Sequence, residues 1–337
     1  GIGGFVMAMG FASGYPVGAR LTAKLWEDRL VTRDEGERLV AFTTSSDPIF
    51  LIGAVSVGFF HHPQLAAVLA AAHYGASILI GLLMRFHGKK DRPLNEKTAA
   101  PAGLSGRLRY SLTAMHQARM SDGRAVSELL FQSVRNSLRL MMVVGGLVVF
   151  FSTLLELLTR SQLMNVLYAS LQFLLDRIGL PITLAPPIVN GLFEVTLGAQ
   201  SAGSAEGGVR LIDKAAVAAF VLSWGGLSVH AQIMSILNRT DLRYRPLVFA
   251  RLAHGIMSAV LVYLVWEPLK PASVYLGNVI AVFAVSDAMY AAVPFAAASA
   301  LIFTAALLAI VLISLGWKMI QLLSALVPGH EKPGRGH

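Results

Sequence analysis

The chain has no cysteine, and charge is scarce: 14% of its 337 residues are Asp, Glu, Lys or Arg, against about 25% in a soluble domain. Without cysteine there are no disulfides, no thiolate metal sites and no thiol catalysis. No GxxxxGK[ST] phosphate loop is present, which excludes a P-loop motor. No basic-start signal peptide is visible, and no nucleophile is spaced with a base. The "GFASG" string has no strand context for a nucleophile elbow, so no catalytic residue, metal site or cofactor is assigned.

What the chain does have is long apolar stretches. Hydrophobic residues make up 55% of it, and the segments 63–84, 215–238 and 288–317 carry no Asp, Glu, Lys or Arg. A bilayer-spanning helix needs about 20 such residues. The chain therefore reads as an all-α polytopic membrane protein. It opens inside an apolar segment, "GIGGFVMAMGF", so further membrane-embedded sequence is expected upstream.

The two halves echo each other. "GFASGYPVGA" (10–19) resembles "GLFEVTLGA" (191–199). Ala41-Phe42 recurs as Ala219-Phe220, and Ala72-His73 as Ala253-His254, at similar intervals. Each half reads as a Gly/Pro-broken hairpin, an interrupted helix and an ordinary span. These are 1–28, 38–60 and 63–86 in one half, and 180–212, 215–237 and 247–267 in the other. Further spans are expected at 136–159 and 299–317. The division is repeat one 1–86, a cytoplasmic linker 87–135 with an amphipathic helix near 125–135, repeat two 136–317 and a cytoplasmic tail 318–337.

The net charge of +9 fits topology and calls for no nucleic acid. Placing the loop 85–139, with its eleven Lys and Arg, in the cytoplasm puts 21 of the 28 basic residues inside and five outside, the last in short segments such as 160–178. Arg20 and Arg251 remain near the ends of membrane segments. This topology makes the repeats inverted, with two re-entrant hairpins entering from opposite faces. Inverted repeats with interrupted helices mark secondary transporters, whose site lies at the midplane.

Bare backbone in lipid costs several kcal/mol per unsatisfied group, so Gly14, Pro16 and Gly18 belong where a hairpin tip is buried or lines a wet cavity. "TTSSDP" (43–48) and "SWGGLS" (223–228) break the two facing helices. Gly and Ser also serve close helix packing, but two breaks at equivalent positions favour a site. The expected substrate-binding residues are Ser13, Gly14, Tyr15, Gly18, Arg20, Thr44, Ser45, Ser46, Asn190, Glu194, Thr196, Ser223, Gly225 and Ser228. Asp47 and Glu194 are intramembrane carboxylates. They are candidates for carrying a coupled proton or sodium ion, or else they cap freed backbone N–H groups. His230 is also ionisable at depth. His73 and His254 read as interhelical hydrogen-bonders.

The segments "MGFASGYPVGARLTAKL", "ERLVAFTTSSDPIFLIGAVSVGFF", "AAHYGASILIGLLMRF" and "GLFEVTLGA" resemble the sporulation integral membrane proteins of the YlbJ family, within the wider nucleoside-recognition, or gate, domain group. The resemblance covers nearly the whole chain. It implies a multi-pass protein of the outer forespore membrane that moves dipicolinic acid, a small aromatic dianion, toward the forespore. The absence of a GTPase motif and of cysteine argues against the role of the group's ferrous-iron transporters. A nucleoside transporter of the same architecture and a non-transporting scaffold recruiting partners through 87–135 are the alternatives.

Overall fold

The computed structural model describes residues 2–88 and 104–283. The expected span 299–317, the tail 318–337 and residues 89–103 of the linker lie outside the described residues. Among those described there is no strand. Residues 1–280 form one unit.

The first half begins with two short helices, α1 (Ile2–Ser13) and α2 (Tyr15–Glu27), broken at Gly14. Gly14 has φ 86, a left-handed value that a side chain resists, and Pro16 sits in the first turn of α2, where its missing N–H is harmless. A capping box between Thr32 and Glu35 starts α3 (Arg33–Thr43). The chain then runs unwound through residues 44–47, and after Pro48 it becomes a π-helix, Phe50–Phe59. There the Phe60 N–H donates to the Val55 carbonyl at 3.0 Å. α4 (Leu65–Met84) follows.

The linker holds more helix than its polar composition signalled: α5 (Leu104–Asp122), then α6 (Val126–Arg160), which absorbs both the expected 125–135 helix and the 136–159 span. Residues 160–178, expected as an outside loop segment, form α7 (Leu163–Arg177). The stretch has no Gly or Pro before Gly179, and Met164, Leu171 and Leu175 recur at helical spacing and turn inward.

The second half repeats the order of the first. α8 (Ala185–Phe193) and α9 (Val195–Gly203) are broken at Glu194, and α10 (Leu211–Trp224) and α11 (Gly226–Leu237) at Gly225. α12 (Tyr244–Phe283) closes the described region. Four stretches are long and apolar enough to cross a membrane: Leu65–Met84, Val126–Arg160, Leu211–Leu237 and Tyr244–Leu269. α1, α8 and α9 are not. The 12 residues of α1 rise about 18 Å, short of the ~30 Å hydrocarbon layer. The core between the halves is rich in small side chains, with Ala72, Ala199, Ala215, Ala218 and Ala219 fully buried. Small residues let broken helices pack backbone to backbone.

Candidate functional site

Each turn between paired helices sits against a helix break. A Cβ on Gly14 would meet the Asp47 carboxylate at 3.0 Å, and one on Gly226, itself at φ 74, would meet the Phe193 carbonyl at 2.9 Å. Between them lies a cavity of about 210 Å³, lined by Ser13, Gly14, Tyr15 and Asp47 from the first half and by Glu194, Thr196, Ser228 and Gln232 from the second. Val144, Leu147 and Val148 of α6 form an apolar side. Among the described residues the lining has two carboxylates and several hydroxyls but no cationic side chain.

Behind this cavity, side chains take up the carbonyls that the breaks release. Tyr15 Oη donates to the Leu222 carbonyl at 2.7 Å, Tyr74 Oη to Ser46 at 3.0 Å, Ser77 Oγ to Phe42 at 2.7 Å and Trp224 Nε1 to Leu192 at 3.2 Å. Arg251, fully buried on α12, joins the two breaks. It donates to the Thr44 carbonyl, to Leu222 and Trp224 at 3.4 Å each, and to His254 Nδ1 at 3.1 Å. Its guanidinium also stands 5.6 Å from the centre of the Tyr15 ring.

Two buried histidines continue the chain. The Ser46 N–H donates to His73 Nε2 at 3.1 Å, which makes that nitrogen an acceptor. Ser45 Oγ therefore donates to it at 2.8 Å, and His73 Nδ1–H donates to Ser223 Oγ at 2.8 Å. His254 accepts from Arg251 and donates through Nε2 to the His73 carbonyl at 2.9 Å. Both tautomers are thus assigned by their partners, and both rings are neutral. His73 and His254 are interhelical hydrogen-bonders, as their place within ordinary spans predicts.

A curated relative, the sporulation integral membrane protein YlbJ of Bacillus subtilis (strain 168), is 41% identical over 273 residues. The chain belongs to the YlbJ family of sporulation integral membrane proteins. The match takes in 81% of this chain, and the chain spans 66% of that relative's length. No family model matches, and no solved structure matches.

The YlbJ-family chain gathers part of the expected site and disperses the rest. Ser13, Gly14, Tyr15, Asp47, Glu194, Thr196 and Ser228 line the cavity. Thr44, Ser45, Ser46, Ser223 and Gly225 lie buried in the breaks behind it. Gly18 is a packing position: a Cβ there would meet the Thr43 carbonyl at 2.6 Å. Asn190 turns to the other side of α8 and accepts from Tyr168 Oη at 3.2 Å.

Arg20 is the clear displacement. It lies on the exposed face of α2, beside Lys24 and Arg239, and does not line the cavity. Five residues after Tyr15 it is rotated about 140° around the helix. Among the described residues the buried cation is instead Arg251, which the charge count had left near a span end. The available signal was its position three residues before His254, inside an otherwise neutral stretch.

Asp47 and Glu194 both act as caps. Asp47 Oδ1 accepts from the Phe50 N–H at 2.9 Å, and Glu194 accepts from the Leu197 N–H at 2.8 Å and from Thr196 Oγ1 at 3.2 Å. A carboxylate that accepts one or two bonds keeps free lone pairs, so capping and cation binding are compatible in both.

A second polar cluster lies at the α3–α4–α12 end. Buried Glu37 accepts from Arg243 Nε at 2.8 Å, Nη2 at 2.9 Å and the backbone N–H at 2.9 Å, and pairs with His87 Nε2 at 2.7 Å. Burial pushes the Glu37 carboxyl up, but the Arg243 and His87 bonds outweigh it and hold it down at about 2. Asp34, Glu37 and His87 bring their ligand atoms within 4.8 Å of one another. Arg243 bridges both carboxylates, and a guanidinium seated there makes the group an ion-pair network rather than a metal site.

Proposed function

We propose that this chain is a membrane transporter for a small organic anion, and not an enzyme, working in the outer forespore membrane of a spore-forming bacterium with dipicolinate as its substrate. The meeting of two helix turns and two helix breaks around one cavity carries this reading. In it, α1–α2 and α8–α9 are re-entrant hairpins of an inverted repeat of the gate-domain type, and substrate binds between their tips. A scaffold has no use for paired breaks at membrane depth, because every freed carbonyl must be satisfied.

The buried hydroxyls support a ligand. Ser13, Tyr15, Thr196 and Ser228 bring hydroxyls to the cavity wall, and behind it Thr44 Oγ1 is buried with no hydrogen-bond partner among the described residues, a state buried polar groups rarely keep without a role. Asp47 and Glu194 would repel a dianion if both stayed bare. A proton or sodium ion taken up with the substrate offsets that charge, and these two carboxylates are its carriers. The same lining of carboxylates and hydroxyls, free of cations, also suits a neutral polyhydroxylated substrate, so a nucleoside is the second reading.

Binding to the purified protein separates the readings. Labelled dipicolinate should bind and be displaced by excess dipicolinate but not by uridine, and should enter proteoliposomes faster with an inward proton or sodium gradient. Displacement by uridine alone would reverse the assignment, and binding of neither would leave the scaffold.

A further inference from the structure

A different cavity, of about 570 Å³, opens between the end of α4 and the start of α12. Its two ends differ in chemistry. One end carries His87, Arg243 and Arg245. The rest is apolar, with Ala250 and Ala253 as a small-residue floor and Leu83 and Phe249, which are 56% and 72% exposed, as lips. Arg243 is engaged by Glu37 and Asp34. Arg245 is exposed and has no ion-pair or hydrogen-bond partner among the described residues. Arg85, next to Met84 of the cavity wall, and Arg38, which donates to the His87 carbonyl at 3.2 Å, add positive charge at the same end.

The dimensions fit one leaflet. Arg243 to Ala253 is ten residues, a rise of about 15 Å along a helix, or half of the ~30 Å hydrocarbon layer. The basic end falls where two apolar spans stop, at headgroup level. Basic pockets between membrane helices select anionic head groups, and apolar walls below them take acyl chain.

We propose that this groove is a binding site for an anionic phospholipid, with its phosphate on Arg245 and one acyl chain lying over Ala250 and Ala253 between Leu83 and Phe249. Arg243 serves as the fixed wall of the headgroup site, since Glu37 and Asp34 already orient it. The bound lipid would fasten α4 to α12 between their histidine contact and the ends that carry His87 and Arg245.

The test uses the full chain in neutral detergent, with native mass spectrometry of retained lipid and thermal unfolding after adding phosphatidylglycerol, phosphatidylcholine or glycerol 3-phosphate. Phosphatidylglycerol should be retained preferentially and raise the unfolding temperature. Arg245→Ala should cut that preference by about fivefold, Arg245→Lys should restore most of it, and Ala253→Phe should abolish retention of either lipid at this site. Glycerol 3-phosphate, with the head group but no chains, should not stabilise. Equal retention of the two lipids, an unchanged preference in Arg245→Ala, or full protection by glycerol 3-phosphate would each overturn the proposal. None of these outcomes depends on which solute the protein carries.

Discussion

Arg251 gives the sharpest test, because even the replacement that keeps its charge should fail. The guanidinium reaches Thr44 on one break, Leu222 and Trp224 on the other, and His254 on its own helix. Lysine keeps the charge but presents it at one point and cannot span both breaks. Losing two of the four charge-assisted bonds, each worth about 1.5–3 kcal/mol, makes Arg251→Lys less stable by about 3–6 kcal/mol. Methionine loses all four, about 6–12 kcal/mol on the same scale, and recovers only the roughly 2.5–3.5 kcal/mol that burying a charge at membrane depth costs. Leu222 keeps its bond from Tyr15. Arg251→Met should therefore be at least as destabilised as Arg251→Lys, by about 3 kcal/mol or more. Urea unfolding in micelles reads this directly, because Trp224 is a fluorescent reporter whose own carbonyl is involved. The parent should be most stable, lysine next and methionine last. A lysine variant as stable as the parent would refute the idea that the breaks are held by fork geometry. The lysine variant, folded but with one break released, should lose anion uptake at least tenfold.

The Glu37 carboxyl is held at about 2 against 4.5 in the unfolded chain, a lowered value whose stabilisation, on the order of 3 kcal/mol, is present above pH 4.5 and lost as pH falls toward 2. Glu37→Gln should thus be less stable at neutral pH and should flatten the acid limb of the pH–stability curve; an unchanged limb would place the effect elsewhere. Gly226→Ala forces a Cβ to 2.9 Å from the Phe193 carbonyl at a φ of 74 and should cost about 1–3 kcal/mol, whereas Gly53→Ala, with nothing within 4 Å, should be neutral or slightly stabilising in the same unfolding assay. Glu194→Gln retains an oxygen to cap the Leu197 N–H, so folding should survive while the pH or sodium dependence of uptake disappears; unchanged dependence would remove Glu194 from coupling.

The positions of the breaks were legible because their causes are local. Gly14 needs a positive φ, Pro48 stops a ladder of backbone bonds, and Gly225-Gly226 lets a helix restart, so each break is written in two or three residues. The spans at 63–86, 136–159 and 247–267 were legible from hydropathy, and His73 and His254 from their depth within neutral stretches. Arg251 was not, because its partners are mainly backbone carbonyls, which leave no trace in side-chain sequence. A charge count also assigns every arginine to a loop or a span end. The Glu37–Arg243 pairing escaped for another reason: the two residues are 206 apart, and each alone looks like a solvated helix end. Asn190 shows the limit of proximity in sequence. It lies four residues before Glu194, yet α8 turns it toward Tyr168 and away from the cavity.

The hydrogen bonds also divide the molecule into fixed and movable parts. α4 and α12 hold the breaks through many bonds: His73 touches both, Arg251 touches both, and Tyr74 and Ser77 add one each to the first. Among the described residues, the two helix turns are tied to this frame more lightly. Tyr15 of the first bonds the Leu222 carbonyl, and Trp224 bonds the Leu192 carbonyl beside the second. Releasing one such bond costs about 1 kcal/mol, whereas shifting a break would strand several carbonyls at once. In the proposed transport cycle the turns are therefore the moving parts and the breaks the frame. Both tethers end on the same short stretch of α10, two residues apart, at Leu222 and Trp224. Arg251 contacts the carbonyls of those same two residues. A displacement of one turn thus alters the residue stretch that anchors the other, giving the two gates a physical route to sense each other across the cavity.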